Sequence, residues 1–200
     1  MNSYYCVPLN LDLKLFKSSD DTVSFIRSHP LWASSPYKLY FRADTSELSD
    51  ELLEFFEKHN QQVKLIEVFY VYPNAETGVH TDGFRRGDFP KLNFIFGGED
   101  STMNWWKITD EYKRKEYSQG IHTKSLIEAD SIIYEKTDVD FAYSKTLSGA
   151  ALIQAGSPHN IVNKHQDRFC VSFIFADKTL KRRLTMREAT DRFKEYSVVP

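Results

Sequence analysis

From Gln62 onward the apolar residues of this chain recur with a period of two, in short runs closed by Gly, Pro, Asn or Asp. The first run, Val63 to Tyr72, is rich in β-branched and aromatic residues and stops at Pro73 and Asn74. Others follow at Gly78 to Asp82, Lys91 to Phe96, Met103 to Ile108, Ser131 to Lys136, Ala150 to Gln154, His159 to Asn163 and Arg168 to Phe175. Successive side chains of a strand point to opposite faces, so each run reads as a strand with one buried face. A series of such runs without helical periodicity between them predicts an all-β sandwich or barrel of the jelly-roll kind.

Outside that region the pattern is mixed. Val7 to Phe16 alternates loosely enough for a strand, Asp20 to Arg27 reads as a short helix ending before Pro30, and Tyr37 to Arg42 alternates as a strand. Asp44 and Glu47 have capping-box spacing. Leu48, Leu52, Phe55 and Phe56 then form one apolar helix face that closes near Asn60. Leu180 to Tyr196 returns to helical character. The expectation is a mainly β single domain over 1–200: a supporting segment 1–61, a jelly-roll core 62–177 and a C-terminal helix within 178–200.

Composition narrows the class of function. With 26 basic against 28 acidic residues the net charge is −2, the wrong balance for a protein built mainly to coat nucleic acid. No apolar run approaches the ~20 residues that span a bilayer. The N-terminus has neither the basic nor the apolar region of a secretory signal. Cys6 and Cys170 are too sparse for a disulfide framework, and a reduced, cytoplasmic protein is expected.

Six histidines can be sorted by context. His29, His59, His122 and His165 are read as surface residues at helix ends, turns or charged connections. His80 and His159 instead fall in β runs beside other polar groups. Residues i and i+2 of a strand share a face, so His80 and Asp82 can offer an imidazole and a carboxylate to one metal. His159 would add a second nitrogen, and two nitrogens with one carboxylate oxygen suit Fe(II) with positions left open. The plainer reading of His80 to Asp82 is a solvated turn at Asp82 and Gly83. Arg168 stands in an apolar run with Phe169, Val171 and Phe173. Its guanidinium cannot deprotonate, so it needs a carboxylate, supplied by a ligand or by the protein.

Taken in order, His80-Thr81-Asp82, His159 and Arg168 resemble the His-x-Asp…His…Arg signature of the Fe(II)- and 2-oxoglutarate-dependent oxygenases. Tyr70 to Gly78 is similar to the Tyr-rich strand and Gly turn before this motif in prolyl-hydroxylase-like members, and Pro158 to Asn163 looks like the distal-histidine strand. The resemblance spans Gln62 to Asp177. Many members carry Arg-x-Ser; this chain has Arg168-Phe169-Cys170, with Ser172 two positions further on. The resemblance implies a double-stranded β-helix, iron held by His80, Asp82 and His159, and 2-oxoglutarate with its distal carboxylate on Arg168. It also implies O₂ as co-reactant, with succinate and CO₂ released. Asp82 fills the position that halogenases of the family leave to halide, which favours hydroxylation or oxidative demethylation.

Around this set, Tyr70, Tyr72, Asn93 and Ser172 are candidates to touch the cosubstrate, with packing as the alternative for each. Trp105 and Trp106 face opposite ways on a strand, one toward the core and one a candidate wall for a substrate. Arg85 and Arg86 would favour an anionic substrate, small-molecule or peptidyl, and Thr109 to Ala129 has the composition of a lid or binding loop. The basic run Lys178, Lys181, Arg182, Arg183 and Arg187 is read as an exposed helix face. Two other classes stay open: a non-catalytic jelly-roll binding module, and a cupin-like metalloenzyme that does not use 2-oxoglutarate.

Overall fold

The computed structural model describes residues 4–34, 40–82, 87–110, 112 and 131–198. The strands are β1 (Cys6–Leu9), β2 (Tyr40–Ala43), β3 (Gln61–Val71), β4 (Val79–Asp82), β5 (Pro90–Gly97), β6 (Thr102–Ile108), β7 (Ser131–Tyr134), β8 (Val139–Thr146), β9 (Gly149–Gln154), β10 (His159–Val162) and β11 (Arg168–Asp177). They form two antiparallel sheets. One has six strands in the order β1-β9-β5-β11-β3-β2, the other five in the order β7-β4-β10-β6-β8. Strands β3, β5, β9 and β11 lie in the first sheet, and β4, β6, β8 and β10 in the second. The chain therefore crosses between sheets at most of its connections. This winding is the double-stranded β-helix, and the expected mainly β architecture with flanking helices is the one observed.

The six-stranded sheet is buried on both faces, which explains the nearly unbroken apolar run of its central strand, β11. Odd-numbered Phe169, Val171, Phe173 and Phe175 join an outer core with Ile66 and Val68 of β3 and Leu92 and Phe94 of β5. Against them pack helices α1 (Thr22–Ser28), α3 (Asp50–Lys58) and α4 (Met186–Arg192), through Phe25, Ile26, Leu52, Phe56, Met186 and Ala189. Phe56 lies 5.9 Å from Phe173, and Phe193 stacks on Phe55 at 5.5 Å between ring centroids. The opposite face of the sheet looks into the barrel, where Ile95, Ala151, Ile153 and Cys170 meet Met103, Trp105 and Ile161 of the other sheet.

Several local expectations change. Asp44 and Glu47 do form a capping box, but around a 3-10 turn at Thr45–Glu47; Ser49 caps α3 by accepting from Leu52 N–H. Pro30 opens a second helix, α2 (Pro30–Ser34), because proline is preorganised for the first helical position. β1 spans only Cys6–Leu9, after which the Asn10 N–H leaves the sheet to bond the Tyr196 carbonyl. The C-terminal helix is shorter than Leu180 to Tyr196, since Lys181 takes a positive φ of 56° and residue pair Asp177 and Arg182 forms a bridge first. β8 was not anticipated. It is an edge strand with few buried side chains, and its Phe141 is 60% exposed, so it lacks the apolar alternation that reveals a strand. No helix among the described residues is long and apolar enough to cross a membrane.

Phe173 has no solvent exposure and sits at the centre of the outer core. Phe173→Ala should cost about 3–5 kcal/mol of unfolding free energy. A urea titration that leaves the midpoint unmoved would place the helices off the sheet.

Candidate metal centre

β4 lies between β7 and β10, and its register fixes the site: His80 stands opposite His159, the first residue of β10. Val79 and Thr81 are buried on the other face, which leaves His80 and Asp82 on the barrel side. The rings of His80 and His159 are 4.5 Å apart. Asp82 Oδ1 is 3.5 Å from His80 Nε2 and 3.9 Å from His159 Nε2, and one ligand atom from each of the three residues falls within 4.8 Å of the others. Ligands in adjacent positions at ~2.1 Å from one metal would be about 3 Å apart, so a small inward movement closes the set on a cation.

The tautomers are also fixed. Nδ1 of His80 is 2.8 Å from the Gly78 carbonyl, and Nδ1 of His159 is 2.8 Å from the Ser157 carbonyl. A carbonyl only accepts, so each Nδ1 carries a proton and Nε2 is the ring atom turned to the centre, the one whose lone pair a neutral ring would offer to a metal. Burial and the neighbouring His80 push the His159 imidazole down to about 4, which keeps it neutral and able to ligate near neutral pH. Burial works against charge on Asp82, but Lys91 and the two imidazoles outweigh it and hold the carboxyl well below its usual range.

Lys91 went unnoticed in the sequence. It is buried on the inner face of β5, with Nζ 2.8 Å from Asp82 Oδ2 and in contact with Glu67 Oε2 on β3. Burial disfavours its charge, yet the two carboxylates raise its affinity for the proton overall. Glu67 also accepts from the Tyr40 hydroxyl at 3.3 Å. The signal was present: a lysine between Pro90 and Leu92, and a glutamate inside Val63 to Tyr72, are charged residues in apolar strands, the same anomaly that singled out Arg168.

Arg168 opens β11 on the inner face, paired with Gly97 at the far end of β5 from Lys91. It is 4% exposed, and its Nε donates to Ser101 Oγ at 3.1 Å. Among the described residues no carboxylate pairs with it, so no salt bridge within them accounts for the buried guanidinium. Gly98 makes room for its stem: with φ of +57°, a Cβ there would come within 2.8 Å of Arg168 Cβ.

The remaining site expectations divide. Asn93 and Ser172 are cross-strand partners on the inner face, joined by a 2.7 Å hydrogen bond from Ser172 Oγ to Asn93 Oδ1. Tyr70 and Tyr72 are not in the barrel. Tyr70 has the parity of Ile66 and Val68, packs on Trp32 and Phe169, and donates to Asp167 at 2.5 Å; Tyr72 lies past the end of β3 with its ring edge-on to Tyr70. Glu67, Phe69 and Val71 are the inward residues of that strand. Trp105 is 0% exposed, sealed in the barrel core with Nε1 donating to the Gln154 carbonyl at 3.2 Å. Trp106 is on the outer face, bonded to Asn160 Oδ1 at 2.9 Å and packed on Phe141, whereas Trp105 is the inward-facing cross-strand partner of His159. Arg85, Arg86 and nearly all of Thr109 to Ala129 lie outside the described residues.

His29 and His59 are buried rather than superficial: His29 bonds Glu47 at 3.0 Å, and His59 nests among Phe55, Phe193 and Tyr196. His165 is exposed beside Asp100, and His122 lies outside the described residues. In the basic run, Lys178 pairs with Glu57 and Arg182 with Glu188, while Arg183 stacks on Phe89 at 4.0 Å.

No family model and no curated protein sequence matches the chain. Solved structures similar to it include the non-heme monooxygenase ThoJ in complex with Ni, at 11% identity and a TM-score of 0.42, covering 88% of this chain and 78% of that one. A prolyl-4-hydroxylase from Pseudomonas putida is 11% identical with a TM-score of 0.38, covering 72% and 71%. E. coli ycfD is 12% identical with a TM-score of 0.36, covering 66% of this chain; the chain spans 31% of the length of ycfD.

Proposed function

We propose that the chain is an Fe(II)- and 2-oxoglutarate-dependent oxygenase that hydroxylates or oxidatively demethylates a small-molecule or peptidyl substrate. The observation that carries this reading is the buried Arg168 guanidinium without a carboxylate among the described residues, inside the same barrel as His80, Asp82 and His159. The donor set fits the metal: two imidazole nitrogens and one carboxylate oxygen, facing one point. The charge fits the cosubstrate. On the described inner face, Asp82 and Glu67 balance Lys91 and Arg168, so a divalent cation would leave an excess that a dicarboxylate neutralises.

On this reading His80, Asp82 and His159 hold the iron, and Arg168 holds the distal carboxylate with Ser101 steadying its Nε. When bound, iron and 2-oxoglutarate supply the oxidising power: O₂ and 2-oxoglutarate yield succinate and CO₂, and one oxygen atom enters a substrate C–H bond. The chain's own residues prepare that chemistry. The Gly78 and Ser157 carbonyls hold each ring by its Nδ1 so that Nε2 is the atom turned to the metal, and Lys91 keeps the Asp82 carboxylate charged in an apolar setting. Trp105, Ile161 and Met103 close the barrel floor and exclude water from the reacting centre.

Anaerobic addition of Fe(II) and 2-oxoglutarate should give the weak visible charge-transfer band of the chelate, and aerobic incubation should release succinate. Asp82→Ala should abolish both. Succinate release that survives this change would locate the activity elsewhere. Leaving a buried ligand charge unpaired costs about 2–5 kcal/mol. Arg168→Ala should therefore weaken 2-oxoglutarate binding roughly 30- to 5,000-fold, with metal affinity nearly unchanged in calorimetric titrations. Unaltered 2-oxoglutarate affinity would favour a binding module or a metalloenzyme of another kind. Gly98→Ala should act on the same step from a distance. It crowds Arg168 and costs about 1–3 kcal/mol of stability, and it should lower 2-oxoglutarate affinity while sparing the metal.

A further inference from the structure

We infer that Lys91 is a positioning residue for Asp82: it occupies one carboxylate oxygen so that the other alone is presented to the metal. This inference rests on the metal-site reading above. Its basis is the unequal treatment of the two oxygens of one carboxylate. Oδ2 is 2.8 Å from the Lys91 ammonium, whereas Oδ1 faces both imidazoles, at 3.5 Å from His80 Nε2 and 3.9 Å from His159 Nε2. The terminal torsion of an aspartate is broad, and a free carboxylate can turn or bind a cation through both oxygens. Either movement would disturb the geometry, and two-oxygen binding would consume a coordination position that co-reactants need.

Lys91 can do this because it is itself fixed. Its ammonium bridges Asp82 on β4 and Glu67 on β3, strands of different sheets, and lies 5.7 Å from the Phe69 ring centroid. Glu67 is braced in turn by the Tyr40 hydroxyl, which accepts from Arg42 Nε at 2.7 Å. A buried pair that served stability alone would need one carboxylate and would gain little over apolar residues. Here the second carboxylate has a use. The ammonium by itself would repel a dication, and Glu67 offsets that repulsion while leaving the contact to Oδ2 intact.

The test is Co(II) affinity by calorimetry, without cosubstrate, beside a melting curve for each variant. Wild type should bind one equivalent of Co(II). In the double variant Lys91→Met with Glu67→Gln, one positive and one negative charge are lost together, so the long-range electrostatics nearly cancel and the contact to Oδ2 disappears. Co(II) binding should weaken about 10- to 100-fold, the usual effect of removing a group that orients a ligand. Lys91→Arg, which can still reach both carboxylates, should restore affinity to within a few-fold of wild type. If Lys91 acted only through its charge, Lys91→Met alone would tighten Co(II) binding and the double variant would match wild type. That pattern, or a lowered melting temperature with unchanged affinity, overturns the inference and leaves the metal site standing. Failure of wild type to bind Co(II) overturns the metal-site reading and the role of Lys91 with it.

Discussion

A charge carried into an apolar barrel has to meet its opposite there, since water no longer screens it and the uncompensated cost is large. Much of the interior follows from that constraint. Lys91 lies between Asp82 and Glu67 and so ties β5 to β4 and β3, joining the two sheets by ionic contact. With Lys91 committed to both acids, the buried Arg168 is left with only neutral partners among the described residues. The ionised Asp82 and neutral His159 are further consequences of the same distribution.

The six-stranded sheet separates two tasks by parity. Its outer face is stacked with phenylalanines against three helices, and its inner face carries Lys91, Asn93, Arg168 and Ser172. Burial on the outer side supplies cohesion, at about 25 cal/mol per Å² of apolar surface removed from water. The inner side can therefore hold charged and polar groups that contribute little to stability.

What the sequence revealed, and what it hid, follows the range of the interactions concerned. The strand runs and the pairing of His80 with Asp82 are local periodicities, readable from neighbours. Arg168 was conspicuous because its charge contradicted its surroundings. Tyr70 and Tyr72 stay open between cosubstrate contact and packing in the sequence because parity says only that they share a face; which face is set by Trp32 and Phe169, distant in the chain. His29 and His59 looked superficial because their enclosing groups, Phe41 for one and Phe193 with Tyr196 for the other, come from other elements. β8 escaped because an edge strand owes its form to backbone pairing with β6 rather than to an apolar face. Lys91 is legible on the same ground as Arg168, a charge within an apolar strand.

β4 and β10 share a single regular register pair, and that pair is His80 opposite His159. A cation held between them would act as a clasp across the seam where the five-stranded sheet is joined by the least backbone. Ligand binding to the folded state adds stability by mass action, about 2.7 kcal/mol at a hundredfold excess over the dissociation constant. Occupancy by such a cation would then govern how long the folded chain survives proteolysis, whatever chemistry the site performs.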